Sequence, residues 1–270
     1  MNVMKQDKAV FFKQSKVLPF VEMRQASRSN ACYQGHTHDE FSFGVIDTGI
    51  ADYNNLKQHN SIGQGDTVTI NPGDIHSCNP AEGDWSYRML FVDTGWVGEL
   101  QAEISGIDSI EYSPFINRYL RSQQAYGNFD SLFTNLLLES NPLSAETLLI
   151  EYMQRHWLTK NREKSAPTHV HRVKEMIADQ LDINHSLTDL AHESGLSRFH
   201  LIRTFKQFYG LSPHAFQLDE RIKCAKTLLK SGHSIIDTSN ALGFADQSHL
   251  QRNFKKRLAV TPKQYQSFFV

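Results

Sequence analysis

One plan occurs twice in the last third of the chain. Leu187 to Ala191, Gly195 to Leu201, Phe205-Lys206 and Gly210 to Pro213 return as Ile235 to Ser239, Gly243 to Leu250, Phe254-Lys255 and Ala259 to Pro262. Up to the central glycine the copies lie 48 positions apart, as Leu187 to Ile235 and Gly195 to Gly243. Beyond it the offset is 49, as Leu201 to Leu250, Arg203 to Arg252 and Pro213 to Pro262. One extra residue therefore sits in the second copy's turn, while the helical spacing on either side is kept. A short helix, a glycine-bearing turn and a second helix are the plan of a helix-turn-helix reader of DNA. Two copies imply two major-groove contacts from one protomer.

The bulk numbers agree with this reading without forcing it. A chain of 270 residues can bury two cores, and 40% hydrophobic with 21% charged is a globular composition. No run approaches the roughly 18 apolar residues of a membrane helix. Between Met1 and Lys16 only Ala9 to Phe12 is apolar, too short for a signal-peptide core, so the expected location is the cytoplasm. There Cys32, Cys78 and Cys224, which lack CxxC spacing, are expected to be free thiols, with redox sensing by Cys32 or Cys78 as the alternative. The net charge of −1 hides an asymmetry. Residues 1–164 carry 14 Lys/Arg against 20 Asp/Glu, a net −6, and residues 165–270 carry 14 against 9, a net +5. The second part suits a polyanion and the first does not.

Patterning divides the chain into 1–160, a linker 161–168 and 169–270. Phe41 to Asp47, Asp66 to Ile70 and Tyr87 to Val92 read as strands, punctuated by Asp47-Thr48-Gly49, Asn71 to Asp74 and Glu82-Gly83-Asp84. Short strands so spaced predict a small barrel or sandwich. From Trp96 the pattern turns helical, with helices expected over Pro114 to Gln124 and Leu143 to Lys160. The latter is either a dimerisation or coupling helix or a cover for the sheet. Residues 161–168 are polar, contain proline and lack periodicity, as linkers do.

After the linker the chain reads as entirely helical. Ser186 before Asp189 and Ser234 before Asp237 are capping-box-like starts, and Ser212-Pro213 and Thr261-Pro262 each pair an N-cap with proline at the first helical position. Between the two units Pro213 to about Lys230 forms one helix of ~27 Å. Such a spacer suits two reading helices about one DNA turn (~34 Å) apart.

In each unit the second helix must both pack and read. Leu201, Phe205 and Phe208 share one face, and Phe199, Ile202, Arg203 and Lys206 share another. In the second unit Leu250, Phe254 and Leu258 face inward, with Gln247, Ser248, Gln251, Arg252 and Lys255 opposite. Arginine bonds bidentately to guanine, glutamine to adenine, and an apolar side chain touches the thymine methyl. Basic residues nearer helix ends, such as Arg198, suit phosphates. The plain alternative is two solvated helix faces; repeated caps, glycines, phenylalanines and arginines argue against it.

These residues carry a resemblance. Ser197 to Lys206, Gly210 to Pro213, Ala241 to Lys256 and Val260 to Tyr265 make residues 170–270 resemble the DNA-binding domain of the AraC/XylS family of bacterial transcription regulators. The resemblance implies seven helices, two helix-turn-helix units and binding in adjacent major grooves. It places the base-facing positions at Phe199, Ile202, Arg203, Gln247, Ser248, Gln251 and Arg252. Ala259, where the first unit has Gly210, is one departure.

Gly35 to Phe41 and, further on, Gly65-Asp66 with Asn71 to His76 resemble the two motifs of a cupin barrel, as carried by the sensor domain of many AraC-like regulators. His36, His38 and His76 match that motif's imidazoles, but the glutamate is missing: Glu40 comes too early, and 42 and 43 are Ser and Phe. Three imidazoles can hold Zn²⁺ or Ni²⁺, line a pocket for an organic effector, or make structural hydrogen bonds. The candidate effector pocket comprises His36, His38, Phe41, His76, Trp85 and Tyr87, and no cofactor is expected.

The expected fold is thus multi-domain: an N-terminal, mainly-β cupin-like barrel with trailing helices and a C-terminal all-α domain with two helix-turn-helix units. The expected function is a transcription regulator, not an enzyme, that binds double-stranded DNA and a small-molecule effector. Activation is the expected sense, with a homodimer and RNA polymerase as partners and no membrane. A cupin metalloenzyme with a DNA-targeting module and a ligand-independent architectural binder are the alternatives.

Overall fold

The computed structural model describes residues 10–105, 111–139, 141–156 and 166–270, with the side chains of Ser105, His156 and Phe199 outside that description. They form two compact units, one chiefly from residues up to Asn161 and one chiefly from Arg162–Val270. None of the described helices is long and apolar enough to cross a membrane.

The first unit is one antiparallel sheet with helices on it. Its strands are β1 (Val10–Gln14), β2 (Val21–Ser29), β3 (Phe41–Asn55), β4 (Gln58–Gly63), β5 (Asp66–Ile70), β6 (His76–Val92) and β7 (Tyr119–Arg121). They lie in the order β1-β2-β6-β3-β5-β7, with β4 also paired to β3. The three runs expected as strands are strands, but two belong to much longer ones. Asp47-Thr48-Gly49 and Glu82-Gly83-Asp84, expected as turns, lie inside β3 and β6, where the register shifts between Ile46 and Ala51. Glycine and aspartate within a strand mark bulges as readily as turns, and bulges bend a long strand without ending it. Asn71 to Asp74 is the turn expected, closed by Asp74 N–H to Asn71 O at 3.0 Å.

The helices of this unit are α1 (Thr94–Ser105), α2 (Gln123–Leu137) and α3 (Pro142–His156). Of Pro114 to Gln124 only Gln123 and Gln124 are helical, as the start of α2. The segment contains β7, whose Tyr119 to Arg121 pair with Val68 to Asp66 of β5, and Arg118 makes a buried ion pair with Asp74 at 3.0 Å. An open edge and a buried carboxylate outweigh a weak helical period. One sheet face carries Val21, Met23, Phe41, Phe43, Val45, Leu90 and Val92, covered by Phe129, Leu132, Phe133 and Leu136 of α2 and by Ala145, Leu149, Tyr152 and Met153 of α3. Phe43 stacks on Tyr152 with centroids 4.4 Å apart. The Leu143 to Lys160 helix therefore spends its apolar stripe on the sheet; its residues 157–160 lie outside the described residues. Arg88 adds a polar clamp, bonding Asp47 of β3 and Asp130 of α2 at 2.7 Å each.

The second unit consists, among the described residues, of seven helices: α4 (Thr168–Asp179), α5 (Leu187–Ser194), α6 (Arg198–Tyr209), α7 (Pro213–Lys230), α8 (Ile235–Ala241), α9 (Gln247–Leu258) and α10 (Pro262–Gln266). Every expected cap is made. Ser186 Oγ accepts from Asp189 N–H at 3.1 Å and donates to its carboxylate at 2.6 Å, and Ser234 repeats both bonds with Asp237 at the same distances. Ser212 and Thr261 cap α7 and α10 ahead of Pro213 and Pro262. Of the expected linker, residues 161–165 lie outside the described residues, and Thr168 already belongs to α4.

Candidate nucleic-acid interface

α6 and α9 are each 12 residues long and begin on a side-chain cap, Ser197 accepting from His200 N–H and Asp246 from His249 N–H. Their inward faces hold as the spacing predicts. Leu201, Phe205, Leu250 and Phe254 are fully buried. Phe205 meets Phe216 of α7 at 5.5 Å, and Phe254 meets Tyr265 of α10 at 5.4 Å. Phe208, expected inside, is only half-buried.

The outward faces hold as well. Arg198, Arg203 and Lys206 are exposed, and Ile202 is 37% exposed although apolar. Gln247, Ser248, Gln251 and Arg252 are exposed on α9, and Lys255 is half-buried. The side chain of Phe199 lies outside the described residues. Neither helix contains an acidic residue, so α6 carries Arg198, Arg203 and Lys206, and α9 carries Arg252, Lys255, Lys256 and Arg257. Arg203 and Arg252 form no ion pair among the described residues and are open to an anion. Arg257 is turned inward and pairs with Asp219 of α7 at 3.1 Å. Positive, acid-free helices with exposed planar donors can hold phosphates and present hydrogen bonds to base edges. Sequence reading passes over Asp219, Arg221 and Arg257, since charged residues in a helix are ordinarily solvated and nothing local marks them as buried.

The residues proposed for an effector pocket are divided by the sheet. Phe41 pairs with Val92 and lies on the helix-covered face, whereas Tyr87 pairs with Ile46 and Ala26 on the other. Alternation along a strand sends neighbours to opposite faces, so Phe41 is core, stacked on Phe115 at 4.5 Å. On the second face Trp85 lies against Tyr87 at 4.3 Å, and the Tyr33 and Tyr87 hydroxyls bond at 2.8 Å. Arg24 donates to Tyr33 at 2.8 Å with its guanidinium over the Phe12, Tyr33 and Tyr87 rings. Trp85 Nε1 is buried with no acceptor among the described residues.

His38 and His76 are buried edge-to-face, 4.8 Å apart. The zinc or nickel reading of His36, His38 and His76 meets an obstacle at His38. His38 commits both ring nitrogens, to Glu40 O at 2.8 Å and Ser42 Oγ at 3.1 Å. His76 Nδ1 bonds Asp74 O and His36 Nδ1 bonds Gln34 O. A metal-binding imidazole must leave one nitrogen for the ion, which His38 does not, and no group of three or more His, Cys, Asp or Glu among the described residues is disposed to hold one. None of the three cysteines forms a disulfide, and desolvation raises the Cys78 pKa, which disfavours a reactive thiolate.

Two family models match this chain: an AraC-like ligand binding domain over residues 21–153 and a helix-turn-helix domain over residues 190–267. The HTH-type transcriptional regulator YbfI of Bacillus subtilis is 31% identical over 225 residues, 81% of each chain. The chain belongs to the AraC family of transcription regulators. The arabinose operon regulatory protein of Escherichia coli is 24% identical over 224 residues, 75% of this chain and 72% of its own. An apo ToxT structure from Vibrio cholerae shares the fold, with a TM-score of 0.61 at 12% identity over 93% of this chain and 98% of that one. In this AraC-family regulator the N-terminal sheet unit thus corresponds to the ligand-binding half and the duplicated helices to the DNA-binding half.

Proposed function

We propose that this regulator reads a bipartite DNA sequence with α6 and α9 in successive major grooves, under control of a small molecule held by the N-terminal unit. One observation carries the DNA half: two capped, acid-free, exposed helices rooted on the single helix α7. Ile202, Arg203, Gln247, Ser248, Gln251 and Arg252 read bases, with Phe199 added from the sequence pattern. Arg198, Lys206 and Lys255 hold phosphates. The division of labour is residues 1–160 for sensing and dimerisation, 161–168 as linker and 169–270 for DNA.

The effector site is the sheet face bearing Trp85 and Tyr87 with His38 and His76; the buried Trp85 indole N–H supports an effector with a hydrogen-bond acceptor. The effector acts by preferring one state of the protein, a coupling of about 1–3 kcal/mol. Activation through RNA polymerase, action as a homodimer in the cytoplasm and the absence of turnover complete the reading. Selecting bound duplexes from a random pool, then measuring gel mobility shifts at several salt concentrations, tests it. A recurrent two-part sequence whose binding weakens with salt is expected; binding without sequence preference overturns it.

A further inference from the structure

Arg221 lies in the middle of α7 and is buried, 2% exposed. Among the described residues it has no carboxylate within ion-pair distance; its donors go instead to backbone and amide oxygens of two separate segments. Nε donates to Leu181 O at 2.6 Å, Nη2 to Ile183 O at 3.2 Å and Asn184 Oδ1 at 2.9 Å, and Nη1 to Gly243 O at 2.8 Å. Its guanidinium also lies over the Phe244 ring, 5.7 Å from the centroid. Residues 181–184 lead into α5, the start of the first helix-turn-helix, whereas Gly243 and Phe244 are the turn of the second. Gln217, one turn earlier on α7, adds a bond to Ile183 O at 2.5 Å. The backbones are pressed together here: a Cβ on Gly243 would overlap the Asp182 carbonyl and come within 2.9 Å of Arg221 Nη2.

A planar fork with donors in fixed directions ties three segments in one geometry, which the single ammonium of lysine cannot reproduce. We propose that Arg221 is a positioning residue for two-groove reading: it sets the distance and phase between α6 and α9, so that the protein accepts half-sites at one separation. This rests on the bipartite DNA reading given above. Phe205 on Phe216 and Arg257 on Asp219 seat each unit on α7 separately. The Arg221 clamp adds a direct tie between the units by holding the entry to one against the turn of the other.

The test uses the full chain and a duplex selected by the wild-type protein from a random pool. The same duplex with one or two base pairs inserted between its halves, and duplexes holding one half alone, complete the set. Wild-type protein is expected to bind the inserted duplexes much more weakly than the selected one. Arg221→Lys and Arg221→Gln are expected to lose about three- to thirtyfold on the selected duplex. Affinity for the inserted and single-half duplexes stays unchanged, so the penalty for altered spacing collapses. Asn184→Ala removes one acceptor from an exposed loop residue and is expected to shift the same ratio less; it supplies the readout if the Arg221 variants do not fold. Equal losses on every duplex, or an unchanged spacing penalty in a folded variant, overturn the assignment. A wild-type protein that selects no two-part sequence overturns the bipartite reading itself, and the assignment with it.

Discussion

The two helix-turn-helix units share one backbone plan and differ in what holds it. Ser186 and Ser234 make the same pair of bonds to Asp189 and Asp237. The turns begin alike, with Leu196 N–H to Ala191 O and Phe244 N–H to Ser239 O, both at 3.1 Å. After that they part. Ala245 is the extra residue, placed between Phe244 and the cap Asp246, and its N–H is taken by His249 Nδ1 at 3.4 Å. The first turn stands clear, while the second is pressed on the 181–184 loop and held by Arg221. At the far ends Gly210 closes α6 with φ 74°, whereas Ala259 closes α9 in the same left-handed region at φ 60°. The exposed faces differ too, Ile202 with Arg203 against Gln247, Ser248, Gln251 and Arg252. The second unit has the same helices, and tertiary contacts hold the turn that contains the extra residue.

The sharpest way to break this comparison is at the turn glycines. Gly195 and Gly243 share φ 64°, but a Cβ meets nothing within 4 Å at Gly195 and overlaps backbone at Gly243. Gly195→Ala is expected to cost only the left-handed penalty of about 1–2 kcal/mol. Gly243→Ala should cost about 3 kcal/mol or more, because a loop must also move. Urea unfolding followed by helical circular dichroism compares them, and equal losses would mean that the second turn is not clamped.

Next in size is the DNA contact. Arg203→Ala and Arg252→Ala are each expected to lose about 1–3 kcal/mol on the selected duplex and less on random DNA. Each should relax preference only in its own half of the site. Loss in both halves from one variant would deny that the units read separately.

A smaller effect lies at the helix ends. Ala259→Gly should stabilise the protein by roughly 0.5–1 kcal/mol, since glycine enters the left-handed region freely, and Gly210→Ala should destabilise by about 1–2 kcal/mol. Midpoints moving in the same direction would show that the two ends are not equivalent.

The smallest concerns pH. Burial, then the Arg252 charge, lower the His249 pKa from its ordinary 6.5, and its Nδ1 must be unprotonated to accept from Ala245. The unfolded chain therefore takes up the proton first as pH falls. The stability held by neutral His249 is complete above about 6.5 and declines as pH drops through that value towards the lower folded one. His249→Gln should flatten that part of the stability profile; an unchanged slope would remove His249 from the account of the second turn.

Much of the DNA-binding half was legible because its signals are local. A serine capping the N–H three residues on, a proline at the first helical position and apolar residues at +4 are decided within one or two turns, so Ser186, Pro213, Leu201 and Phe205 stand where their spacing put them. The sensor half was less legible. Asp47-Thr48-Gly49 and Glu82-Gly83-Asp84 carry turn residues, yet they are bulges because β3 and β6 continue to find partners beyond them. Pro114 to Gln124 carries a helical period, yet β5 offers an edge for Tyr119 to Arg121. Residue type groups Phe41 with Tyr87, and the register separates them.

The amino-acid order alone determined that this chain carries two helix-turn-helix units, where their helices begin and which sides of α6 and α9 meet solvent. Those features depend on contacts a few residues apart. Only the tertiary structure decided that Arg221 gathers both units, that Asp219 is buried to hold Arg257, and that the sheet parts Phe41 from Tyr87. Each of these depends on a partner dozens of positions away, brought near by folding. No periodicity in the chain records such a meeting.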